Sequence, residues 1–187
     1  MKLRLALMAV LLGSLGAQQC LGALISYTAA VGPPNVFNRP ITNGSNPPVT
    51  TSDDDHYYHV FGFTVDVAET YRMEVVGTDG NIDSFLILYQ GAFDPSNPLT
   101  NALEADDDGG VSFFSRIDRS LSTGTDYFLV TSTFDPETSV NYTVEIEGPT
   151  GNIISGIPEP ATSVGLLTGL LGIGGLGFWR RRRDSRG

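Results

Sequence analysis

Between residues 59 and 147 the chain alternates apolar and polar residues with a period of two, the pattern of β-strands with one buried face. The alternation is clearest in the segments 59–66, 71–75 and 142–147. No window of comparable length has the 3.6-residue period of an amphipathic helix. The side chains predicted to face the core are Phe61, Phe63, Val65, Tyr71, Met73, Val75, Tyr142, Val144 and Ile146.

Two other segments, 85–89 and 127–131, are almost continuously apolar, which predicts central strands that are covered on both faces. The segment 24–55 is rich in Pro, Asn, Thr and Ser, so we expect short strands near 24–28 and 36–41 and then a loop through Asp55. About six to eight short strands separated by Gly, Asp, Asn and Pro turns predict an all-β fold, an antiparallel β-sandwich or jelly roll.

The N-terminal segment 1–23 is predicted to be a secretory signal peptide. Lys2 and Arg4 precede an apolar run, and small and polar residues follow it. The alternative cleavage positions are Ala17, Gly22 and Ala23. The only cysteine, Cys20, lies in this zone, so we expect a mature chain without cysteine, which excludes disulfides and thiolate sites.

The C-terminal segment 157–187 joins three features in a fixed order. Pro158, Glu159 and Pro160 come first, an uncharged apolar run follows, and Arg180, Arg181, Arg182 and Arg183 end it. As a helix, the run at about 163–179 is roughly 25 Å long, slightly short for a membrane span. The arginine block is expected to stay in the cytoplasm, which leaves the body outside.

This tail resembles the PEP-CTERM sorting segment of Gram-negative bacteria that make extracellular polysaccharide. The resemblance implies recognition of Pro158-Glu159-Pro160 by exosortase, a membrane protease-transpeptidase, and release of the protein from its anchor. Prolines also hold the segment before the span extended, as a protease substrate requires. The alternative is an ordinary single-pass anchor with a proline-containing linker.

Between these ends, residues 24–150 are long enough for one domain with a single hydrophobic core, and 151–156 is expected to be a linker. Only four of the 11 basic residues but 19 of the 21 acidic residues lie in this body, so it carries a formal charge of −15. Such a body repels nucleic acid and favours cations. The alternative is that the acidity only keeps an exported protein soluble.

A second resemblance covers roughly residues 53–147. The words Phe61-Gly-Phe-Thr-Val65, Asp83-Ser-Phe-Leu-Ile-Leu-Tyr89, Asp106-Asp-Asp-Gly-Gly110 and Gly124-Thr-Asp-Tyr127 occur in the order seen in the bacterial pre-peptidase C-terminal domain. This resemblance implies a jelly-roll sandwich without catalytic activity, an accessory to adhesion, binding or secretion.

Two acidic segments are candidate calcium ligands. Calcium takes about six to eight oxygen ligands, and a sandwich that brings both segments to one end would let their oxygens converge. The EF-hand pattern fails, because Ser84 stands where glycine is required and Gln90 where glutamate is required. The alternative is solvated turns that cap backbone N–H groups. The candidate ligands are Asp79, Asn81, Asp83, Asp106, Asp107 and Asp108.

Catalytic motifs are absent from the sequence: it has no Gly-x-Ser-x-Gly, no His-Glu-x-x-His and no phosphate loop. On a strand, His56 and His59 would point to opposite faces, which argues against shared metal ligation. We therefore expect no enzyme, no certain cofactor beyond candidate calcium, and no nucleic-acid partner.

The predicted function is that of an exported surface or extracellular-matrix protein associated with exopolysaccharide or biofilm. Its expected partners are the export machinery, exosortase and matrix components. It would be anchored transiently in the inner membrane, with its C-terminus in the cytoplasm, before it reaches the cell surface or medium. Two alternatives come from other classes: a small secreted hydrolase, and a permanently anchored single-pass surface binding protein.

Overall fold

The computed structural model describes residues 22–43 and 45–156, whose regular secondary structure consists of strands. Within these ranges no helix has the length and apolar character needed to cross a bilayer. The strands are β1 Ala23–Val31, β2 Val36–Pro40, β3 Thr51–Val65, β4 Thr70–Thr78, β5 Ser84–Gln90, β6 Ala102–Asp106, β7 Arg116–Ser120, β8 Tyr127–Thr133, β9 Val140–Gly148 and β10 Ile153–Ser155.

The strands form two antiparallel sheets. The smaller sheet has the order β1-β9-β4-β7, and the larger has the order β10-β3-β8-β5-β6, with β2 also paired to β3. A buried cluster made from strands of both sheets joins them face to face. The predicted all-β antiparallel sandwich is confirmed at this level.

The core between the sheets contains the side chains that the alternation predicts. Phe63, Tyr71 and Met73 have no exposed surface, and neither have Tyr142, Val144 and Ile146 of β9. Phe61 is half-buried and stacks on Tyr27 of β1, with 4.0 Å between the ring centroids. Burial of an aromatic or large aliphatic side chain stabilises the fold by about 1.5–3 kcal/mol, so this period-two pattern is what holds the sheets together.

A second buried cluster lies on the outer face of the larger sheet, so the expectation of a single core is wrong. Phe85, Ile87 and Tyr89 of β5 point away from the core between the sheets and pack there with Phe37 and Phe93. The Tyr89 hydroxyl donates to the carbonyl of Pro98 at 2.7 Å, which ties the loop after β5 onto this face. Both β5 and β8 are therefore buried on both faces, as predicted.

Two boundaries differ from the sequence-based expectations. Asp53, Asp54 and Asp55 lie in β3 rather than in a loop, because β3 begins at Thr51 and pairs with β2 there. Aspartate is disfavoured in strands, but these three side chains are exposed. The expected linker 151–156 contains β10, which pairs with residues Phe63–Val65 of β3.

Most of the predicted export signals fall outside the described residues. These are the signal peptide up to residue 21, the motif Pro158, Glu159 and Pro160, the span at about 163–179, and the arginines 180–183. The first described strand begins at Ala23, whose Cα is paired with that of Gly148. Cleavage after Ala17 or after Gly22 leaves β1 whole, whereas cleavage after Ala23 removes its first residue.

Candidate metal centre

The sheet topology brings the two acidic segments to one end of the larger sheet. β5 and β6 are antiparallel neighbours in which Leu86 is paired with Asp106. The residue just before β5 and the residues just after β6 therefore meet. Asp83 occupies the first position, and Asp107 and Asp108 occupy the second.

Asp83, Asp107 and Asp108 form a cluster, called here the acidic triad. One carboxylate oxygen from each lies within 4.8 Å of the others. Two oxygens on opposite sides of a calcium ion, each at 2.3–2.6 Å, are about 5 Å apart. The spacing of the triad therefore suits a calcium ion, with the remaining ligands supplied by second carboxylate oxygens, carbonyls or water.

Two oxygens of the acidic triad are buried without hydrogen bonds in the described part of the chain, namely Asp83 Oδ1 and Asp107 Oδ1. Burial, followed by the charges of Asp108 and Asp83, raises the pKa of Asp107 to about 6. Burial, followed by Asp108 and Asp135, also raises the pKa of Asp83. A bound divalent cation would relieve both the burial of these charges and their mutual repulsion.

Asp83 is held by its backbone, which leaves its carboxylate available. The Tyr142 hydroxyl and the Phe134 N–H both donate to the Asp83 carbonyl, at 2.8 and 3.1 Å. Ser84, which follows, is buried and bonded to Ser115. These contacts join the loop before β5 to β9, to the end of β8 and to the loop before β7.

The loop that carries Asp107 and Asp108 is closed by Asp106, which turns away from the triad. Asp106 Oδ2 accepts hydrogen bonds from the N–H groups of Gly109 and Arg116, both at 2.8 Å. A Cβ on Gly109 would lie 2.7 Å from Asp106 Oδ2 and 2.8 Å from the Arg116 carbonyl, so glycine is required at this position. Asp106 therefore caps backbone N–H groups of the turn, which is the alternative to calcium ligation predicted for these residues.

The other two candidate ligands are also outside the triad. Asp79 accepts a 2.5 Å hydrogen bond from the Asn141 side-chain amide and donates its own N–H to the Asn141 carbonyl. It joins the end of β4 to β9. Asn81 is exposed in the loop that joins β4 to β5. The structure thus brings together three of the six candidate residues.

Sequence patterns gave no indication of Arg39, which lies beside the triad. Its guanidinium carbon is 3.6 Å from the centroid of the Phe85 ring, and the side chain is only 5% exposed. Burial lowers the pKa of Arg39 to about 10, and the nearby charges of Asp107 and Asp83 oppose that shift. Arg39 stays protonated at neutral pH, so its positive charge partly compensates the negative charge of the triad. It lies more than 40 residues before Asp83 in the sequence, which is why the sequence alone did not indicate this contact.

A groove of about 430 Å³ borders the triad. Hydroxyl and amide side chains from Thr42, Ser45 and Asn46 line one side, and residues 105–109 line the other. The Asn46 side-chain oxygen accepts the Ala105 N–H at 3.2 Å, which fixes the 45–50 segment against β6. The groove is open to solvent and offers hydroxyl and amide groups next to the candidate ion.

The two histidines do not join the triad or each other. On β3, His59 faces the core between the sheets and stacks on Tyr27. His56 lies two residues before Tyr58, so both side chains are on the outer face of the larger sheet. The prediction that they point to opposite faces is confirmed. His56 is 2% exposed, so it is a buried polar side chain on the outer face of the larger sheet.

No protein-family model matches the chain, and no curated protein matches it. The two resemblances of the sequence therefore stay predictions.

Proposed function

We propose that this protein is exported and non-catalytic, and that it acts at the cell surface or in the extracellular matrix after its tail has been processed by an exosortase-type enzyme. Its partners in this proposal are the export machinery, the processing enzyme and exopolysaccharide. The body would be a jelly-roll member of the sandwich class, similar to the pre-peptidase C-terminal domain.

The observation that carries the proposal is the place where the chain leaves the sandwich. β10 ends at Ser155, and the next residue, Gly156, is exposed with a φ of +99°. Pro158 follows two residues later. The chain thus reaches the surface immediately before the proposed recognition motif, as a body that presents this motif to a membrane enzyme requires.

The wild-type chain and a variant with Pro158→Ala, Glu159→Ala and Pro160→Ala test this function in the source bacterium. We expect the wild type in the medium or surface fraction and the triple variant in the inner membrane. Ala161→Ser and Thr162→Ala, just after the motif, form the control and should leave sorting unchanged. Equal release of the triple variant and the wild type would contradict the proposal.

We propose calcium binding at the acidic triad as a second function. Three carboxylates within 4.8 Å, two of them with buried oxygens that lack hydrogen bonds, support it. Thermal unfolding of the protein with calcium and with a chelator is the test. The midpoint should be higher with calcium, and an unchanged midpoint would contradict binding.

A surface role and calcium binding fit together chemically. A body with a formal charge of −15 repels anionic polysaccharide unless cations lie between them. A calcium ion at the triad would have open coordination positions toward the groove that Thr42 and Ser45 line. Polysaccharide carboxylates or hydroxyls could then complete its coordination shell.

A further inference from the structure

β1 is an edge strand whose outer side has no partner among the described residues. All its backbone pairing is with β9, from Ala23 opposite Gly148 to Val31 opposite Val140. No other backbone hydrogen bond of the described ranges reaches β1. A row of backbone N–H and C=O groups is therefore open along nine residues.

The other sheet edges carry features that prevent pairing with a further strand. β7 has Arg116, Asp118 and Arg119 in five residues, and β10 has only three residues. β2 contains Arg39, ends in Pro40 and has an irregular register with β3. β6 carries two acidic residues, and Asn46 already occupies the Ala105 N–H. Short strands, charges, proline and bulges are the usual means of blocking an edge.

β1 has none of these features. Its sequence, Ala-Leu-Ile-Ser-Tyr-Thr-Ala-Ala-Val, contains no charge and no proline, and its register with β9 runs without a bulge. Half of its side chains point to solvent, and Leu24 among them is 62% exposed. A long, uncharged and regular edge of this kind is a template for another strand.

We propose that the occupant of this edge is β1 of a second copy of this chain, in an antiparallel pair centred on Tyr27. That register places Leu24 opposite Ala30 and Ser26 opposite Thr28. All outward side chains then meet outward side chains, and all nine residues take part. The two small sheets would become one continuous eight-stranded sheet, and the two-fold symmetry closes the assembly at a dimer.

If two copies associate, the charge distribution makes β1 a place where they meet with little repulsion. Two bodies of formal charge −15 repel each other over most of their surfaces, but β1 contributes no charge to the contact. Added salt screens the repulsion between the bodies and leaves the backbone hydrogen bonds in place. Dimerisation should therefore strengthen with ionic strength, whereas association through ion pairs would weaken. The pairing does not depend on an ion at the acidic triad.

Cysteine cross-linking of the full chain, in a Cys20→Ser background, tests the register. In the proposed pair, Ser26→Cys with Thr28→Cys places cysteines of the two copies directly opposite each other. The matched control is Glu145→Cys with Thr143→Cys, on the same face and at the same level but one strand further in. At about 4.8 Å per strand, the control cysteines of the two copies would be about 14 Å apart, too far for a disulfide.

On non-reducing gels we expect a disulfide dimer of twice the chain mass for the Ser26/Thr28 pair and no dimer for the control pair. Equal cross-linking of both pairs, or of neither, would overturn the proposal. An adduct of another mass would show that a different protein occupies the edge, and would also overturn it.

Sedimentation of the detergent-solubilised full chain gives a second readout that needs no cysteine pair. Thr28→Lys adds a charge to the free edge, and Thr143→Lys adds the same charge on the neighbouring strand. The wild type and Thr143→Lys should dimerise as concentration and salt increase, and Thr28→Lys should stay monomeric under the same conditions. A Thr28→Lys chain that dimerises like the wild type would contradict pairing through β1.

Discussion

The hydroxyl of Tyr142, in the middle of the smaller sheet, donates a 2.8 Å hydrogen bond to the carbonyl oxygen of Asp83, at the end of the larger sheet. The Tyr142 side chain has no exposed surface. A residue of the central core thus fixes the backbone of one member of the acidic triad. The candidate metal centre is therefore coupled to the packing of the two sheets.

Tyr142→Phe removes this hydrogen bond and keeps the ring. We expect a loss of about 1 kcal/mol in the free energy of unfolding, measured by urea titration, and a weaker calcium affinity, measured by calorimetry. The control is Tyr71→Phe, which removes a buried ring's hydrogen bond to the Val67 carbonyl away from the triad. It should cost similar stability and leave calcium affinity unchanged; equal affinities in both variants would contradict the coupling.

Asp107→Asn removes the triad carboxylate whose pKa is raised furthest among the described aspartates. In the presence of a chelator at pH 7.5 this variant should be more stable than the wild type, because a buried charge near two others is gone. Calcium should raise the unfolding midpoint of the wild type by several degrees and leave that of the variant unchanged.

Asp53→Asn is the control for this experiment, since Asp53 is exposed and outside the triad. It makes the same change of charge and should respond to calcium as the wild type does. A calcium shift that survives in Asp107→Asn would show that any bound ion lies elsewhere.

His59 should make the fold sensitive to mild acid. Burial lowers its pKa below the ordinary value of 6.5, and its Nδ1 has no hydrogen-bond partner in the described part of the chain. Below pH 6.5 the unfolded chain therefore takes up a proton more readily than the folded one, so the free energy of unfolding falls as the pH falls toward the folded pKa.

His59 stacks on the neutral ring of Tyr27 and is paired with the neutral Thr131 of β8, and burial is the cause of its lowered pKa. His59→Leu removes the titrating group at similar size. Urea titrations of the wild type and the variant should differ by a constant amount above pH 7 and diverge below pH 6.5, with the wild type losing more stability. Parallel curves down to pH 5 would rule out this role for His59.

Asp66 should control how firmly β10 is held. Its two carboxylate oxygens accept the backbone and side-chain N–H groups of Asn152, at 2.6 and 2.7 Å, and the Asn152 hydrogen bonds lower the pKa of Asp66. Asp66→Ala should speed amide hydrogen exchange in residues 153–155 several-fold with little change in β9, because three residues of pairing alone hold β10 weakly. Asp118→Ala, which removes two exposed ion pairs, with Arg72 and Arg116, should leave exchange in β10 unchanged.

The strand pattern of the fold could be predicted because burial follows a local period. Tyr71, Met73 and Val75 alternate with charged residues, and the apolar runs around Leu86 and Leu129 show strands covered on both faces. The second core cluster was not predictable in the same way. Phe93 lies in a turn-rich segment, and only the folding of that loop onto β5 reveals that this ring is buried.

The acidic triad could be predicted only in part. Composition and turn chemistry identified all six candidate residues. Which of them can bind an ion depends on which side chains are already engaged in hydrogen bonds within the fold. Asp106 accepts hydrogen bonds from the Gly109 and Arg116 N–H groups, and Asp79 accepts one from Asn141, which is 62 residues away in sequence. The pairing of β5 with β6 selects Asp83, Asp107 and Asp108, and that pairing is not a local property of the sequence.

The intact mass of the mature chain recovered from the culture medium tests the central proposal most directly. If the tail is removed at the Pro158-Glu159-Pro160 motif after export, the mass should lack the signal peptide and the apolar segment 164–179, and the N-terminus should lie no later than Ala23 so that β1 stays whole. A medium-borne chain that retains residues 164–179 would contradict the processing account.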